Sequence, residues 1–122
     1  MKEIFSVLVE NRAGVLCKVA GLALPEPPTC ILFPDDFSYI GGMNVLHEAG
    51  LRIPEDISAV GYDGIHLAKV MGLTTYSQNA RMLGKTAAER LISLIERPKA
   101  TQPEQILIRG GLWEGKSVRD IR

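Results

Sequence analysis

The sequence predicts an α/β fold, a three-layer sandwich around a mostly parallel sheet. Three observations lead there. Short strand-like runs alternate with longer stretches of helical periodicity. The strand-like runs are apolar without interruption, as suits strands covered on both faces. A length of 122 residues with 46% hydrophobic composition gives one domain with an ordinary packed core. There is no internal repeat and no low-complexity segment, and the proline cluster at 25–28 is a loop too short to separate two domains.

The elements follow in order. "IFSVLVE" at 4–10 is β-branched and aromatic and ends at the polar "NR", which predicts a strand. Asn11 then caps a short helix with Val15, Leu16, Val19 and Leu22 at helical spacing. "PEPP" ends it, because proline cannot continue a helix. "TCILF" is the second strand. Asp35 or Asp36 caps the next helix, with Tyr39, Ile40, Met43 and Leu46 along one face, Gly41 and Gly42 permitting close packing, and Gly50 as the left-handed terminator.

"DISAVGY" is a third strand and "LTTYSQ" a fourth. Asn79 opens the longest helix, with Leu83, Ala87, Leu91, Leu94 and Ile95 expected inward and Lys85, Glu89, Arg90 and Glu96 outward; Pro98 lies just past its end. "EQILIRGGLWEG" reads as a last strand with a Gly-Gly break, Trp113 as a core or interface plug, and "KSVRDIR" as a polar tail.

Fourteen basic and fourteen acidic residues balance to a net charge of +0. Nucleic-acid binding draws on clustered Lys and Arg to neutralise phosphates, so this balance argues against autonomous DNA binding. Cys17 and Cys30 are the only cysteines, which suits a reducing cytosol, with Cys30 an inert thiol in an apolar run. The N-terminus has no cleavage-site pattern and no apolar run reaches membrane-spanning length, so the expectation is a cytoplasmic protein without membrane contact. His47 and His66 read as ordinary polar residues, since "HEAGL" lacks the second His of a metalloprotease helix. No metal, no cofactor and no catalytic residue is expected.

From about residue 22 onward, the chain resembles the C-terminal part of the effector-binding core of LacI/GalR-family transcription regulators, a partial periplasmic-binding-protein-like subdomain. The residues that carry the resemblance are "PPTCILFPDDFSYIGGMNVLHEAGLRIPEDISAVGYDGI" and "LTTYSQNARMLGKTAAERLISLIE". Residues 1–21, "MKEIFSVLVENRAGVLCKVAG", are similar to the start of the ACT-domain regulatory subunit of acetohydroxyacid synthase. In that resemblance Asn11 and Gly14 match an amino-acid-binding turn, with Ala13 in place of the usual proline. Residues 17–30 then look like a seam. Either the chain is a chimera, natural or engineered, or a strand and helix of the repressor family have drifted toward ACT-like wording.

In open parallel sheets ligands sit at the carboxyl ends of the strands. The repressor resemblance implies that Asp35, Asp63 and Gln78 face a small-molecule effector, a sugar or nucleobase. Carboxylates accept paired hydrogen bonds from vicinal hydroxyls or ring N–H groups, which suits such ligands. Asp35 stands where many members have Asn, and Gly64 replaces the commoner second Asp. Simpler roles stand beside these: helix capping for Asp36, loop organisation for Asp63, and backbone satisfaction for Gln78. Three aspartates at strand ends also resemble the acidic cluster of receiver domains, but no lysine follows "TTYSQ", and Lys69 is expected in the loop before it.

Relative to a complete repressor, the helix-turn-helix headpiece and most of the first subdomain are not in this sequence. The expectation is therefore one truncated α/β domain over 1–122, an effector-binding and dimerisation fragment that binds no DNA alone and binds its effector weakly. Two other readings stay open, a non-binding structural relic or fusion, and an ACT-like amino-acid sensor at Asn11 and Gly14. The apolar face of the longest helix predicts a homodimer.

Overall fold

The parallel sheet is laid down by three short apolar runs joined by two helical crossovers. The computed structural model describes residues 28–100 and 102–120. These form β1 (Cys30–Leu32), α1 (Asp36–Glu48), β2 (Ser58–Asp63), α2 (His66–Val70), β3 (Thr74–Ser77), α3 (Ala80–Glu96) and β4 (Gly111–Trp113). The strand and helix expected over residues 4–22 lie outside the described residues. The sheet order is β1-β2-β3-β4, with β1, β2 and β3 parallel and β4 antiparallel to β3. The expected α/β class with a mostly parallel sheet is what forms.

Alternation along the strands separates the two faces of the sheet. Ile31, Phe33, Ile57, Ala59 and Leu73 are buried with Tyr39 and Leu46 of α1 and Ala68 of α2. Gly42 makes the helix–sheet contact possible, because the Phe33 ring occupies the space a Cβ there would need. Phe33 and Tyr39 meet edge to face at 5.5 Å. Full burial of side chains such as Ile31, Phe33, Leu46 and Leu73 stabilises the fold by about 1.5–3 kcal/mol each. The opposite face carries Leu32, Tyr62, Tyr76 and Leu112, all exposed, with Tyr62, Tyr76 and Leu112 in one cross-strand row.

The α1 face is the one its sequence pattern predicts: Tyr39 and Leu46 are buried, and Ile40 and Met43 pack beside them. Gly50 takes the expected left-handed conformation (φ +77°) just beyond the Ala49 cap. Gly41 differs from Gly42 in having open space at its Cβ position.

Four expectations need correction. The helix α3 is present and starts after Asn79, but none of its residues is buried. Leu91 and Ile95 of its supposed inward face are 58% and 72% exposed. Amphipathic spacing fixed the helix, and no described partner covers its apolar side. Residues 66–70 form a helix rather than a loop, which places Lys69 on α2; five residues are too few to show a period. The described part of the expected polar tail, "KSVRD", is tied to the sheet. Ser117 is buried, donates to the Ala59 carbonyl at 2.6 Å and accepts from the Thr74 N–H at 2.8 Å. Ala59 N–H donates in turn to the Ser117 carbonyl at 2.8 Å, and Arg119 N–H to Ser58 Oγ at 3.2 Å. The segment after β4 thereby closes the gap where β2 and β3 begin. Of the expected long last strand, only Gly111–Trp113 pairs.

Candidate functional site

The carboxyl ends of β1, β2 and β3 bring together Asp35, Asp36, Asp63 and Gln78 with the turn at 63–65. Each arrives by a distinct local rule. Asp35 follows the end of β1 and is the N-cap of α1. Its Oδ1 accepts the Ser38 N–H at 2.7 Å and its Oδ2 accepts the Ser38 hydroxyl at 2.8 Å. A short carboxylate is well suited to this, since the first helical N–H groups lack internal partners. Of the two aspartates the sequence offers as caps, Asp35 is the one that caps α1, and Asp36, whose simpler role would be capping, does not.

Asp36 does something else. It is fully buried, its Oδ1 accepting from the Thr75 hydroxyl at 2.7 Å and its Oδ2 from the Ile65 N–H at 2.9 Å. Thr75 Oγ1 also accepts the Gly64 N–H at 3.3 Å. Gly61 leaves room for this carboxylate, because a Cβ there would collide with Asp36 Oδ1. Every buried side-chain polar atom among the described residues finds a hydrogen-bond partner, and that is the condition under which a buried carboxylate is tolerated.

Asp63 ends β2 and Gln78 follows the end of β3. Gln78 Nε2 donates to Asp63 Oδ1, and the Gln78 N–H donates to the Asp63 carbonyl at 3.3 Å. Both side chains are half-buried. Asp63 has φ +117° and Gly64 φ +71°. A non-glycine residue in that region carries a strain of about 1–3 kcal/mol, maintained by surrounding contacts. Gly64 cannot be replaced cheaply, since its φ is positive and a Cβ would meet Ser77 at 2.5 Å. Here is the physical reason for glycine after the aromatic-aspartate pair.

The arrangement offers a half-exposed carboxylate oriented by an amide at the mouth of a parallel sheet. The stacked Tyr62 and Tyr76 rings (5.6 Å, 14° between planes) lie close by, Tyr62 immediately before Asp63 and Tyr76 two residues before Gln78. Such a site accepts hydrogen bonds from hydroxyls or ring N–H groups. Asp63 and Gln78 are in contact with each other, whereas Asp35 is engaged with its own helix. Asn11 and Gly14 lie outside the described residues. Thr75 was passed over in the sequence; the only signal for it was its inward register on β3, two residues from a buried leucine. His47 and His66 are exposed at a helix end and a helix start, and no cluster of three or more His, Cys, Asp or Glu suited to a metal ion occurs among the described residues. No described helix is long and apolar enough to cross a membrane.

Residues 7–118 match the periplasmic binding protein-like domain. The probable HTH-type transcriptional repressor ExuR of Bacillus subtilis (strain 168) is 39% identical over 102 residues, covering 82% of this chain and 30% of that protein. The HTH-type transcriptional repressor PurR of Mannheimia succiniciproducens is 32% identical over 120 residues, covering 97% of this chain and 36% of that protein. The chain spans roughly a third of the length of these relatives. Among solved structures, a LacI family transcriptional regulator from Enterococcus faecalis V583 with bound ribose superposes with TM-score 0.72 and 33% identity, covering 80% of this chain and 37% of that one. The dimeric Lac repressor with an 11-residue C-terminal deletion gives TM-score 0.65 and 35% identity, covering 75% and 34%. The family match takes in most of residues 1–21 and the PurR alignment nearly all of the chain, so the ACT-like reading with Asn11 and Gly14 finds no support. The chain belongs to the periplasmic binding protein-like domain family, in the form that LacI-family transcriptional regulators carry as their effector-binding core.

Proposed function

We propose that this chain forms one wall of a small-molecule effector site of a LacI-type regulator, with Asp63 and Gln78 as the principal contacts and Asp35 beside them. The observation that carries the reading is the Asp63–Gln78 pair, a strained carboxylate oriented by an amide at the carboxyl ends of adjacent parallel strands. Asp35 has given two of its roughly four acceptor positions to Ser38, which leaves capacity for a ligand hydroxyl. The bound ribose of the Enterococcus regulator favours a sugar or nucleoside as the ligand class. The role is recognition without catalysis, in the cytoplasm, by a chain that pairs with a second copy of itself.

As one wall of such a site, the 122-residue chain alone binds no tighter than about millimolar. Calorimetry with ribose, galactose, glucose and purines tests this. Asp63→Ala removes whatever binding is found; binding that survives that substitution places the ligand elsewhere. By itself the chain gives only weak, sequence-independent retardation of DNA, because its 14 basic residues are matched by 14 acidic ones. A shift resisting excess competitor DNA refutes that part.

A further inference from the structure

Asp36 and Thr75 are fully buried and so are closed to any ligand, yet they hold the backbone immediately after Asp63. The Thr75 hydroxyl gives its one proton to Asp36 Oδ1 and accepts the Gly64 N–H, while Asp36 Oδ2 takes the Ile65 N–H directly. Two successive amides downstream of Asp63 are therefore held by side chains from α1 and β3. We infer that Asp36 and Thr75 are positioning residues that fix Asp63 against Gln78, acting through the Gly64 and Ile65 amides. The inference rests on the reading of Asp63 and Gln78 as effector contacts.

The direction of control follows from the geometry. Asp63 sits at φ +117°, a backbone conformation that a non-glycine residue keeps only where its surroundings restrain it, while glycine at 64 takes φ +71° without strain. Gln78 reaches Asp63 from the end of β3, and Thr75 is three residues earlier on that strand. The hydroxyl of Thr75 therefore ties the two halves of the pair, the β2 turn and the β3 end, to one buried carboxylate. Gly61 completes the device by leaving the space that Asp36 fills.

The test is nuclear magnetic resonance on the intact chain without ligand, comparing it with Thr75→Val, which keeps the shape and removes the hydroxyl, and Thr75→Ser, which keeps the hydroxyl. In Thr75→Val the Gly64 amide should exchange with solvent about tenfold faster or more, and the Gln78 Nε2 protons should move toward the position of a free amide. Thr75→Ser should restore both. A merely structural threonine would lower stability without moving the Gln78 signal. Should Thr75→Val fail to fold, the unaltered chain still decides: the Gly64 and Ile65 amides must exchange as slowly as the Leu73 amide, which is bonded to Ala68 in the core. Loop-like exchange there, an unmoved Gln78 signal in the valine variant, or no rescue by serine overturns the inference. Ribose titration of the same proteins judges the effector site separately, since absence of binding to the unaltered chain counts against that site and leaves the resonance result to judge positioning.

Discussion

Ser117→Ala is expected to destabilise the chain by about 2–3 kcal/mol, a large effect for a residue four positions after the last strand. The Ser117 hydroxyl serves two backbone groups at once, the Ala59 carbonyl at 2.6 Å and the Thr74 N–H at 2.8 Å. It is only 4% exposed, so alanine leaves a carbonyl and an amide facing each other across a gap with no donor or acceptor between them. An unsatisfied buried polar group costs about 1–3 kcal/mol, and two of them set a ceiling near the sum. The site lies beside exposed Lys116 and Val118, where water can partly replace the lost hydroxyl, and that draws the figure toward the lower half. Against a total stability of about 5–15 kcal/mol, this is a substantial fraction. Urea unfolding at fixed protein concentration measures it, with the slope unchanged and the midpoint lowered by about 1–2 M. Val118→Ala, at a position 47% exposed, is the control and should stay within about 0.5 kcal/mol. A Ser117→Ala cost no larger than that of the control refutes the view that this segment is built into the sheet.

The α3 face predicts self-association. Leu83, Leu91, Leu94 and Ile95 are exposed and each gains about 1.5–3 kcal/mol on burial, so light scattering should show a dimer that Leu91→Glu with Ile95→Glu converts to monomer; a monomer mass in the unaltered chain at high concentration defeats this. Cys30 is half-buried and burial pushes its thiol pKa up, so with Cys17 replaced by serine, iodoacetamide near neutral pH should modify it at least about tenfold more slowly than a free thiol. Reaction at the free-thiol rate would contradict that burial. The Arg52 guanidinium grips Asp56 at 2.8 Å and holds its carboxyl down to about 2 from an ordinary 3.8. A depressed acid contributes stability above its ordinary pKa and loses it as pH falls through the folded value. Here the loss runs from about pH 4 to pH 2 and is small because the pair is exposed. Carbon resonance titration of Asp56 should find its midpoint near 2, and higher in Arg52→Gln but still below 3.8, because the Arg52 backbone N–H keeps its bond to Asp56 Oδ2.

By itself the sequence determined the α/β class, the parallel strands, the apolar face of α1 and the ends of the helices at Gly50 and Asn79. These depend on local rules: apolar runs, helical spacing, and the tolerance of glycine and asparagine for left-handed backbone. It also placed Asp63 and Gln78 at strand ends, and the repressor resemblance added the expectation that they face an effector. Only tertiary structure decided which of two adjacent aspartates caps α1. Either side chain is chemically able to do so, and the choice fell to Asp35 because Thr75 and Ile65, 39 and 29 residues away along the chain, claim Asp36. Tertiary structure likewise drew the polar "KSV" into the sheet, since its partners Ala59 and Thr74 are 58 and 43 residues distant. Among the described residues it also left α3 uncovered. An amphipathic period states that a helix has an apolar side, but what covers that side depends on surfaces the period does not encode.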